Sequence, residues 1–521
     1  MSELEYTVER AGAHALLYAA STVVYLLVQV ATLMVVARLL GPANYGLYNL
    51  AAIPVGVLSL LTDFGIDAAV LRYSSLYASR GQVCRVASLA KRALLLKLVL
   101  SLSVVAPALV LAEPLGQVLS SRSGIGLYVS LYTIVLVPQV LAADAASLMV
   151  GLGRAGARTV VVIAQPLARL AAVLALFSLV GPTVENAILA LAVSYVVAIA
   201  VSVAMVKDVL SSPGCGFEMD EVVGYALTVY TGSVAGAVVA RLQGYLLGFI
   251  TASMGVAGNS VAGYFNAAYN FLGAVGAVYG ALATPLLPLF VHQSKNEEGF
   301  KGIVEAVLAT LFALTLPLSL VSILYSGDVI RTVYGPEYAE AGFYYTVISV
   351  SLLLWPFGVV AGNVIQAYGV KRVILLSNIV SLVSGALLYL GLGLTLGVAG
   401  LAIASALASI PVLVYQLSYL EAAGFRLGYS KYMKTAVASL LSVLASVPLA
   451  RLLALSVARL LLGFTFSALL YSVLLAAFNA LGDVELSFLV RISRSIPVLG
   501  WVLAAYVAFY TRLRDSLVRL F

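Results

Sequence analysis

Two arginines inside apolar sequence are the residues with the clearest chemical potential. Arg169 and Arg241 each lie well within a long run of apolar residues. A charge inside a membrane is costly, so such a residue is a candidate for function wherever its run spans a bilayer. A guanidinium can bind a phosphate through two hydrogen bonds at once, so both residues are candidates for holding an anionic substrate. The alternatives are a snorkelling or ion-paired Arg241 and a structural pair between Arg169 and Asp144.

Asp63 and Asp67 form a second candidate group together with Arg72. Their i, i+4 spacing places the two carboxylates on one helical face, and Arg72 follows within about a turn and a half. We expect a gate in which these carboxylates pair with basic residues of an opposite lobe in one conformation only. Two alternatives stay open: a site for a coupling proton or Na⁺, and a solvated helix end with a local Asp67–Arg72 contact. Asp144 is a further gate or coupling candidate.

Amide and phenol side chains recur near the starts of two related apolar runs and form the third candidate group. Sugars are bound by planar amides and by aromatic faces. The same residue types also anchor helix ends at the level of the lipid headgroups, so both interpretations stay open. The candidates for lining a cavity are Tyr48, Asn49, Gln243, Asn266, Tyr269 and Asn270.

Composition identifies the elements that must position these residues. The chain has 521 residues, of which 62% are hydrophobic and only 10% charged. This is typical of an all-α polytopic membrane protein and not of a soluble domain. Glu3, Glu5 and Glu9 precede the first apolar run, where a cleaved signal peptide would carry basic residues. The two cysteines, Cys84 and Cys215, predict neither a disulfide framework nor a metal site.

Hydropathy predicts about 14 transmembrane helices with both termini in the cytoplasm. In that topology 22 of the 29 basic residues lie in segments on the inner side, 5 on the outer side and 2 within spans. This bias explains the net charge of +7 without a nucleic-acid partner. The apolar runs are centred near 15–40, 45–71, 90–112, 126–150, 158–180, 184–206, 222–250, 261–290, 303–325, 341–367, 372–395, 397–420, 433–450 and 457–480. The later run 496–510 is short for a span, and we expect it to be interfacial or re-entrant.

An internal repeat divides the chain. The phrase Gly-x-aromatic-Asn begins at Gly46 and returns at Gly263. A six-helix period in one orientation predicts two pseudo-symmetric lobes about an axis along the membrane normal. The predicted parts are a cytoplasmic segment 1–14, an N-lobe 15–206, a cytoplasmic linker 207–221, a C-lobe 222–420, two extra helices 433–480 and a basic cytoplasmic or interfacial tail 481–521.

Four phrases resemble one family. ARLLGPANYGLYNLA and LTDFGIDAAVLRYSS, together with TPLLPLF at 284–290 and QAYGVKR at 366–372, are similar to polysaccharide-biosynthesis flippases. These are the Wzx-type members of the multidrug/oligosaccharidyl-lipid/polysaccharide (MOP) exporter superfamily. The resemblance covers roughly 10–420 and is strongest over 36–75. It implies fourteen helices, a V-shaped pair of lobes, and alternating access without ATP hydrolysis, in agreement with the lack of a Gly-x-x-x-x-Gly-Lys phosphate loop.

We therefore predict a flippase, not an enzyme, in the cell membrane. It would translocate an oligosaccharide on a polyprenyl or dolichyl phosphate or pyrophosphate, for surface polysaccharide or glycoprotein assembly. Its expected partners are the lipid-linked glycan, membrane lipids and glycan-assembly enzymes. We expect a monomer with no cofactor and at most a coupling H⁺ or Na⁺.

Two other functions are alternatives to the flippase. A cation-coupled multidrug or small-molecule exporter of the same superfamily is the first, although the span Ala15–Val36 lacks an ionisable residue. A multispan glycan ligase or glycosyltransferase is the second. It is disfavoured because the longest outer loop, about Ser326–Gly342, is short for an active site.

Overall fold

The computed structural model describes residues 3–216, 219–283, 286–293, 297–425, 429–482, 485–486, 489–490 and 500–518. These residues are helical almost throughout and contain no strand. The first eleven helices are α1 Glu3–Leu58, α2 Leu60–Asp63, α3 Ile66–Ser79, α4 Val83–Val110, α5 Ala112–Leu119, α6 Gly126–Gly151, α7 Ala155–Leu179, α8 Val184–Met205, α9 Lys207–Ser211, α10 Met219–Ala252 and α11 Gly255–Ala283. They are followed by α12 Leu286–Gln293, α13 Glu297–Leu324, α14 Ser326–Tyr334, α15 Ala341–Ser349, α16 Trp355–Tyr368, α17 Lys371–Leu407, α18 Ile410–Ala422, α19 Tyr429–Arg451, α20 Ser456–Ala477 and α21 Gly500–Val518.

Two of the longest helices are broken at a glycine. α1 has a non-helical Gly41 with φ 70°, and α17 has a non-helical Gly397 with φ 64°. Glycine adopts such positive φ values without the steric cost that a Cβ imposes. At Gly41 the next residue is Pro42, whose ring and missing N–H also interrupt a helix. The Gly41–Pro42 pair therefore breaks α1 at the end of the first apolar run.

The apolar helices confirm a polytopic membrane protein. Nine helices of the described residues are long and apolar enough to cross a bilayer, or ten if the bent pair Ala341–Leu353 and Trp355–Tyr368 forms one span. Two of the nine combine consecutive helices. Val24–Ser79 covers most of α1 together with α2 and α3 and has 56 residues, and Lys371–Ala422 covers α17 and α18 and has 52 residues. That is more than twice the roughly 20 residues that one crossing needs. The predicted count of fourteen is not confirmed by this criterion.

The chain forms two compact units, Met1–Asn266 and Ala267–Phe521. In the first unit, α3, α4 and α6 meet in a core that contains several alanines, which let helix backbones approach closely. The α7–α8 hairpin packs against α6 and α1. The buried residues of this core include Val70, Tyr73, Ala87, Ala90, Ala145 and Met149.

In the second unit α13 is the central helix. Its Val307 and Leu311 are buried, and α16 and α19 pack against it. The Tyr471 hydroxyl of α20 donates to the Ala313 carbonyl over 2.7 Å. α21 packs on α20 in the same way, through Tyr510. The predicted segment 496–510 is thus helical from Gly500 onward, while its first four residues lie outside the described residues.

The absence of a disulfide was predicted wrongly. Cys84, at the start of α4, is bonded to Cys215, which lies 131 residues later. The linker after α9 is also held by the Ser88 hydroxyl, which donates to the Cys215 carbonyl over 2.7 Å. The Lys91 ammonium donates to the Ser212 carbonyl over 2.8 Å. Packing of α9 on α4 brings the cysteines together, and sequence spacing carries no trace of that contact.

Candidate functional site

A buried lysine organises the acidic residues of the first unit. The Lys97 side chain is 1% exposed, and its ammonium pairs with Asp63 at 2.9 Å and also with Asp67. The two carboxylates are 39% and 30% exposed. Both carboxylates converge on Lys97, but Asp63 ends α2 and Asp67 lies in α3, so the prediction that they share one helical face was wrong. Their partner is Lys97 of the neighbouring helix α4, within the same unit.

A break in the backbone positions both carboxylates. α2 ends at Asp63, and α3 begins after Phe64 and Gly65, whose φ angles are 44° and 77°. The Asp63 carboxylate accepts hydrogen bonds from the backbone N–H of Gly65 at 3.2 Å and of Asp67 at 3.3 Å. Asp63 therefore caps the start of α3 with the same side chain that pairs with Lys97. A carboxylate suits this position because the first N–H groups of a helix have no partner of their own.

Asp144 on α6 completes the Lys97 cluster, which we define as Asp63, Asp67, Lys97 and Asp144. Its side chain is fully buried. It interacts electrostatically with Lys97, Asp67 and Asp63. Its Oδ1 has no hydrogen-bond partner among the described residues. The cluster therefore holds three carboxyl groups and one ammonium.

Arg169 does not pair with Asp144, so that prediction was wrong. The Arg169 Nη2 donates to the Tyr48 hydroxyl over 2.7 Å. The α6–α7 hairpin turns between Gly151 and Ala155, and Arg169 lies about two helical turns further from this turn than Asp144 does. That difference separates the two side chains by roughly 10 Å along the bundle.

Tyrosines surround Arg169 instead of acids. Tyr48, Tyr132 and Tyr195 supply its electrostatic neighbours, and the side chain is buried. Its Nε finds no acceptor among the described residues. A phenol can accept a hydrogen bond but is neutral near pH 7. Arg169 is therefore a buried cation without an acidic partner in the described part of the chain.

Arg241 lies against a glycine of α1. A Cβ added to Gly56 would lie 2.9 Å from the Arg241 Nη1, so only the missing side chain leaves room for the guanidinium. Arg241 is exposed and forms none of the ion pairs found among the described residues. Gly244, one turn along α10, packs beside Ile53. This arrangement leaves the charge of Arg241 available to a ligand.

The amide candidates are used partly by their own helices. Asn49 Nδ2 donates to the Tyr45 carbonyl over 2.7 Å, and Asn266 Nδ2 donates to the Ala262 carbonyl over 2.9 Å. These equivalent bonds occur in both copies of the repeated phrase. Gln243 is buried. Tyr269 and Asn270 belong to the second unit, where Tyr269 is exposed.

The two repeated phrases meet each other. An added Cβ on Gly46 would lie 1.9 Å from the Asn259 carbonyl oxygen, and one on Gly263 would lie 2.0 Å from the Pro42 carbonyl oxygen. Both glycines are thus required for a close backbone crossing of α1 and α11. The recurrence of the phrase reflects this crossing, which sequence analysis did not foresee.

α10 docks on the α2–α3 break. An added Cβ at Gly65 would lie 2.1 Å from the Ala226 carbonyl oxygen. The Tyr230 hydroxyl donates to the Leu60 carbonyl over 2.8 Å. Arg72 lies over the Tyr225 ring at 4.3 Å. The alternative of a local Asp67–Arg72 contact was therefore wrong.

Arg122 and Lys97 are the two residues that sequence reasoning missed. Arg122 is buried and donates to the Asn259 side chain at 2.9 Å, to the Gly248 carbonyl at 3.0 Å and to the Thr251 hydroxyl at 2.8 Å. Burial lowers the pKa of Arg122. In the predicted topology, Arg122 is one of the 5 basic residues on the outer side and Lys97 is one of the 22 on the inner side. The available signal was the position of Lys97 in the apolar phrase LLLKLVL.

The second unit contains a cavity of about 700 Å³. It lies among α13, α16 and α18, and none of the residues singled out from the sequence lines it. Lys301, Glu305 and Glu421 give its wall charge, while Phe357 and Leu420 are among its apolar residues. Nothing in its geometry selects a ligand class.

The sequence of the chain is similar to one known protein family. A family model described as polysaccharide biosynthesis protein matches residues 12–294. Among curated protein sequences, none matches the chain.

Solved structures similar in fold include flippases and transporters. A lipid II flippase, MurJ in an inward closed conformation, has a TM-score of 0.70 and 14% identity over 89% of this chain and 98% of that one. An inward-facing multidrug resistance MATE family transporter of the MOP superfamily has a TM-score of 0.60 and 14% identity over 77% and 95%. A MATE in complex with MaD3S has a TM-score of 0.56 and 16% identity over 80% and 96%. At these identities the likeness shows the fold, and it confirms the predicted MOP-type all-α architecture.

Proposed function

Because the chain belongs to the polysaccharide biosynthesis protein family, we propose that it is a flippase for a lipid-linked oligosaccharide in the cell membrane. The family and the fold are those of flippases and exporters. The proposed cargo would carry a phosphate or pyrophosphate between its lipid and its glycan. The head group would cross from the cytoplasmic to the outer leaflet by alternating access.

Arg241 is the observation that carries this proposal. Its guanidinium is exposed, lies over Gly56 and forms no ion pair among the described residues. A phosphate or pyrophosphate is the chemical partner that a planar guanidinium binds best, through two parallel N–H···O bonds. Arg169 supports the proposal as a second cation without an acidic partner in the described residues, and it would add positive potential from within the unit.

Uncharged polar side chains would contact the glycan of the proposed cargo, and the bilayer would hold its lipid tail. Asn49 and Asn266 are half-buried and supply amide groups, which suit the hydroxyls of a sugar. The polyprenyl or dolichyl tail would remain in the bilayer, along helices α19 and α20. Glycan-assembly enzymes would act before and after the transport step, which is the reason to expect them as partners.

The test is translocation by the full chain in proteoliposomes. The probe is a fluorescent lipid-pyrophosphate oligosaccharide, and the variants are Arg241→Ala, Arg241→Lys and the control Arg331→Ala. Arg331 is exposed on α14, so its loss should leave the rate unchanged. A hydrogen bond to a charged group contributes about 1.5–3 kcal/mol. We therefore expect Arg241→Ala to slow translocation by about 10- to 100-fold and Arg241→Lys to lie between it and the wild type.

A glycolipid without a phosphate supplies the chemical control. Its movement, if any, should be the same in the wild type and in Arg241→Ala, because no anion meets the guanidinium. Unchanged translocation of the pyrophosphate probe by Arg241→Ala would remove Arg241 from the site. Export of a cationic dye without movement of the lipid would replace the flippase with a multidrug exporter.

A further inference from the structure

The Lys97 cluster carries an inference about energy coupling, and it rests on the proposed transport function. We propose that Asp144 is the proton-binding residue of a coupling site and that Lys97 transmits its protonation to the α2–α3 break. In the conformation described here Asp144 holds the proton. Release of that proton would draw the Lys97 ammonium toward Asp144 and away from Asp63 and Asp67.

The charge of Lys97 is balanced without Asp144. Lys97 is satisfied by Asp63 at 2.9 Å and by Asp67, so its one positive charge is already shared by two carboxylates. Asp144 is fully buried, and its Oδ1 meets no hydrogen-bond donor among the described residues. A fully buried carboxylate whose oxygen meets no hydrogen-bond donor favours its neutral, protonated form, because burial penalises the charge. Asp144 is therefore the member of the cluster that can load and release H⁺.

The groups around Asp144 determine which side chains can respond to a change in its charge. Its charged neighbours among the described residues are Asp63 on α2, Asp67 on α3 and Lys97 on α4. The described charged side chains on the other helices packed against α6 are Arg38 on α1, Glu113 on α5, Arg158 and Arg169 on α7, and Glu185 on α8. A change of charge at Asp144 therefore acts first on the position of Lys97.

A proton fits this site better than Na⁺. The Lys97 ammonium already occupies the place between the carboxylates where a metal cation would be held. Proton exchange needs only the carboxyl group of Asp144, and the ammonium can move between neighbouring anions on its flexible stem.

The helix break connects the proton to α10. Asp63 both pairs with Lys97 and caps α3 through the N–H groups of Gly65 and Asp67. On its other side the break receives α10, through the close contact of Gly65 with Ala226 and the bond from Tyr230 to Leu60. Withdrawal of Lys97 would leave two adjacent carboxylates unneutralised, and their repulsion would change the geometry of the break. α10 carries Arg241, so proton release would reach the helix that holds the proposed substrate cation.

Two experiments on the full chain test this inference. The first measures translocation in proteoliposomes with and without a pH gradient, for the wild type, Asp144→Asn, Asp144→Glu and the exposed control Glu337→Gln. Asparagine has the shape of the protonated acid but cannot release a proton. We expect Asp144→Asn to lose the stimulation by the gradient, while Asp144→Glu and Glu337→Gln retain it. Gradient stimulation that survives in Asp144→Asn, or stimulation by Na⁺ alone, would overturn the proposal.

The second experiment needs no substrate. Hydrogen exchange of the peptide covering 219–230 is followed in purified protein at pH 6 and pH 8, with labelling times scaled for the chemical exchange rate. We expect exchange to increase at pH 8 in the wild type and in Asp144→Glu, and to lose its pH dependence in Asp144→Asn. If the pH dependence of hydrogen exchange requires Asp144 but the protein translocates no lipid, the proposed cargo is refuted and the proton site is kept. Equal exchange at both pH values in the wild type would overturn the proton site itself.

Discussion

Replacing Lys97 with methionine should destabilise the first unit by an amount that the structure allows us to work out. Methionine keeps the length of the buried stem and removes only the charge and its hydrogen bonds. The Lys97 ammonium lies 2.9 Å from the Asp63 carboxylate. Two unit charges at that separation attract by about 6 kcal/mol at an effective dielectric constant of about 20. Asp63 and Asp67 are both partly exposed, so water screens part of this attraction and stabilises part of the released charge.

Measured losses on breaking buried ion pairs are about 3–5 kcal/mol, because a buried partner is left uncompensated. The partial exposure of both carboxylates places our expectation for Lys97→Met at the lower end, at about 3 kcal/mol. The effect should be partly reversed by adding Asp67→Asn, which removes one of the two stranded charges. Recovery of about 1 kcal/mol or more in the double variant is the expected coupling for groups in direct contact.

The assay is reversible unfolding of the full chain in mixed micelles, with the free energy of unfolding extrapolated to zero denaturant. Lys207→Met is the matched control, since Lys207 is exposed on α9 and forms no ion pair among the described residues. A loss below about 1 kcal/mol for Lys97→Met, equal to that of an exposed pair, would refute the reasoning. So would a double variant whose loss of stability equals the sum of the two single losses.

Three further predictions concern other parts of the chain. Gly46→Ala should prevent folding or reduce the yield severely, because its Cβ would lie 1.9 Å from a backbone oxygen. The control Gly273→Ala should be tolerated, because a Cβ at Gly273 would have no atom within 4 Å. Expression yield and size-exclusion chromatography measure both variants. Cys84→Ser removes a bond between residues that lie 131 positions apart. It should lower the free energy of unfolding by up to about 5 kcal/mol. The loss is smaller if helices persist in the unfolded state, because the disulfide then constrains that state less. The hydrogen bond from Arg154 lowers the pKa of Asp208 from 3.8 to about 2, so this pair should stabilise the chain above about pH 4 and lose that contribution as the pH falls through about 2. Thermal unfolding from pH 5 to pH 2 should show a smaller acid loss for Asp208→Asn than for the wild type.

The backbone breaks and the helical class were predictable because they depend on local chemistry. The Gly41–Pro42 dipeptide favours a helix break by its own chemistry, because glycine tolerates positive φ and proline cannot continue the hydrogen-bond ladder. Apolar runs of bilayer length mark membrane helices for a similarly local reason. These signals determine the fold class and the first helix break without reference to the rest of the chain.

Partners across the bundle were not predictable from the same signals. The i, i+4 spacing predicted that Asp63 and Asp67 share one helical face, but it could identify neither the helix break between them nor Lys97, which lies on another helix. The Arg169–Asp144 pair failed because nearness in sequence ignored the difference in depth along the α6–α7 hairpin. The disulfide was missed because the 131 residues between the cysteines say nothing of the contact between α9 and α4.

The internal repeat gives an independent argument that the Lys97 cluster serves more than folding. The offset from Gly46 to Gly263 maps α6, Gly126–Gly151, onto 343–368. That range covers most of α15 and all of α16, which ends at Tyr368, so the correspondence extends beyond the repeated phrase. The same offset carries the four cluster positions to Gly280, Thr284, Leu314 and Ala361. No acidic or basic residue lies within three positions of any of these in the sequence.

If this fold needed a buried ion pair to hold its second and third apolar runs, both copies would need one. The second copy has apolar and small residues at the corresponding positions, as efficient packing in a membrane favours. Buried ion pairs are in general no more stabilising than well-packed apolar residues of similar volume. The first copy therefore keeps three carboxyl groups and a lysine at a cost that its counterpart avoids, and a charge-dependent step in transport is the property that would justify that difference.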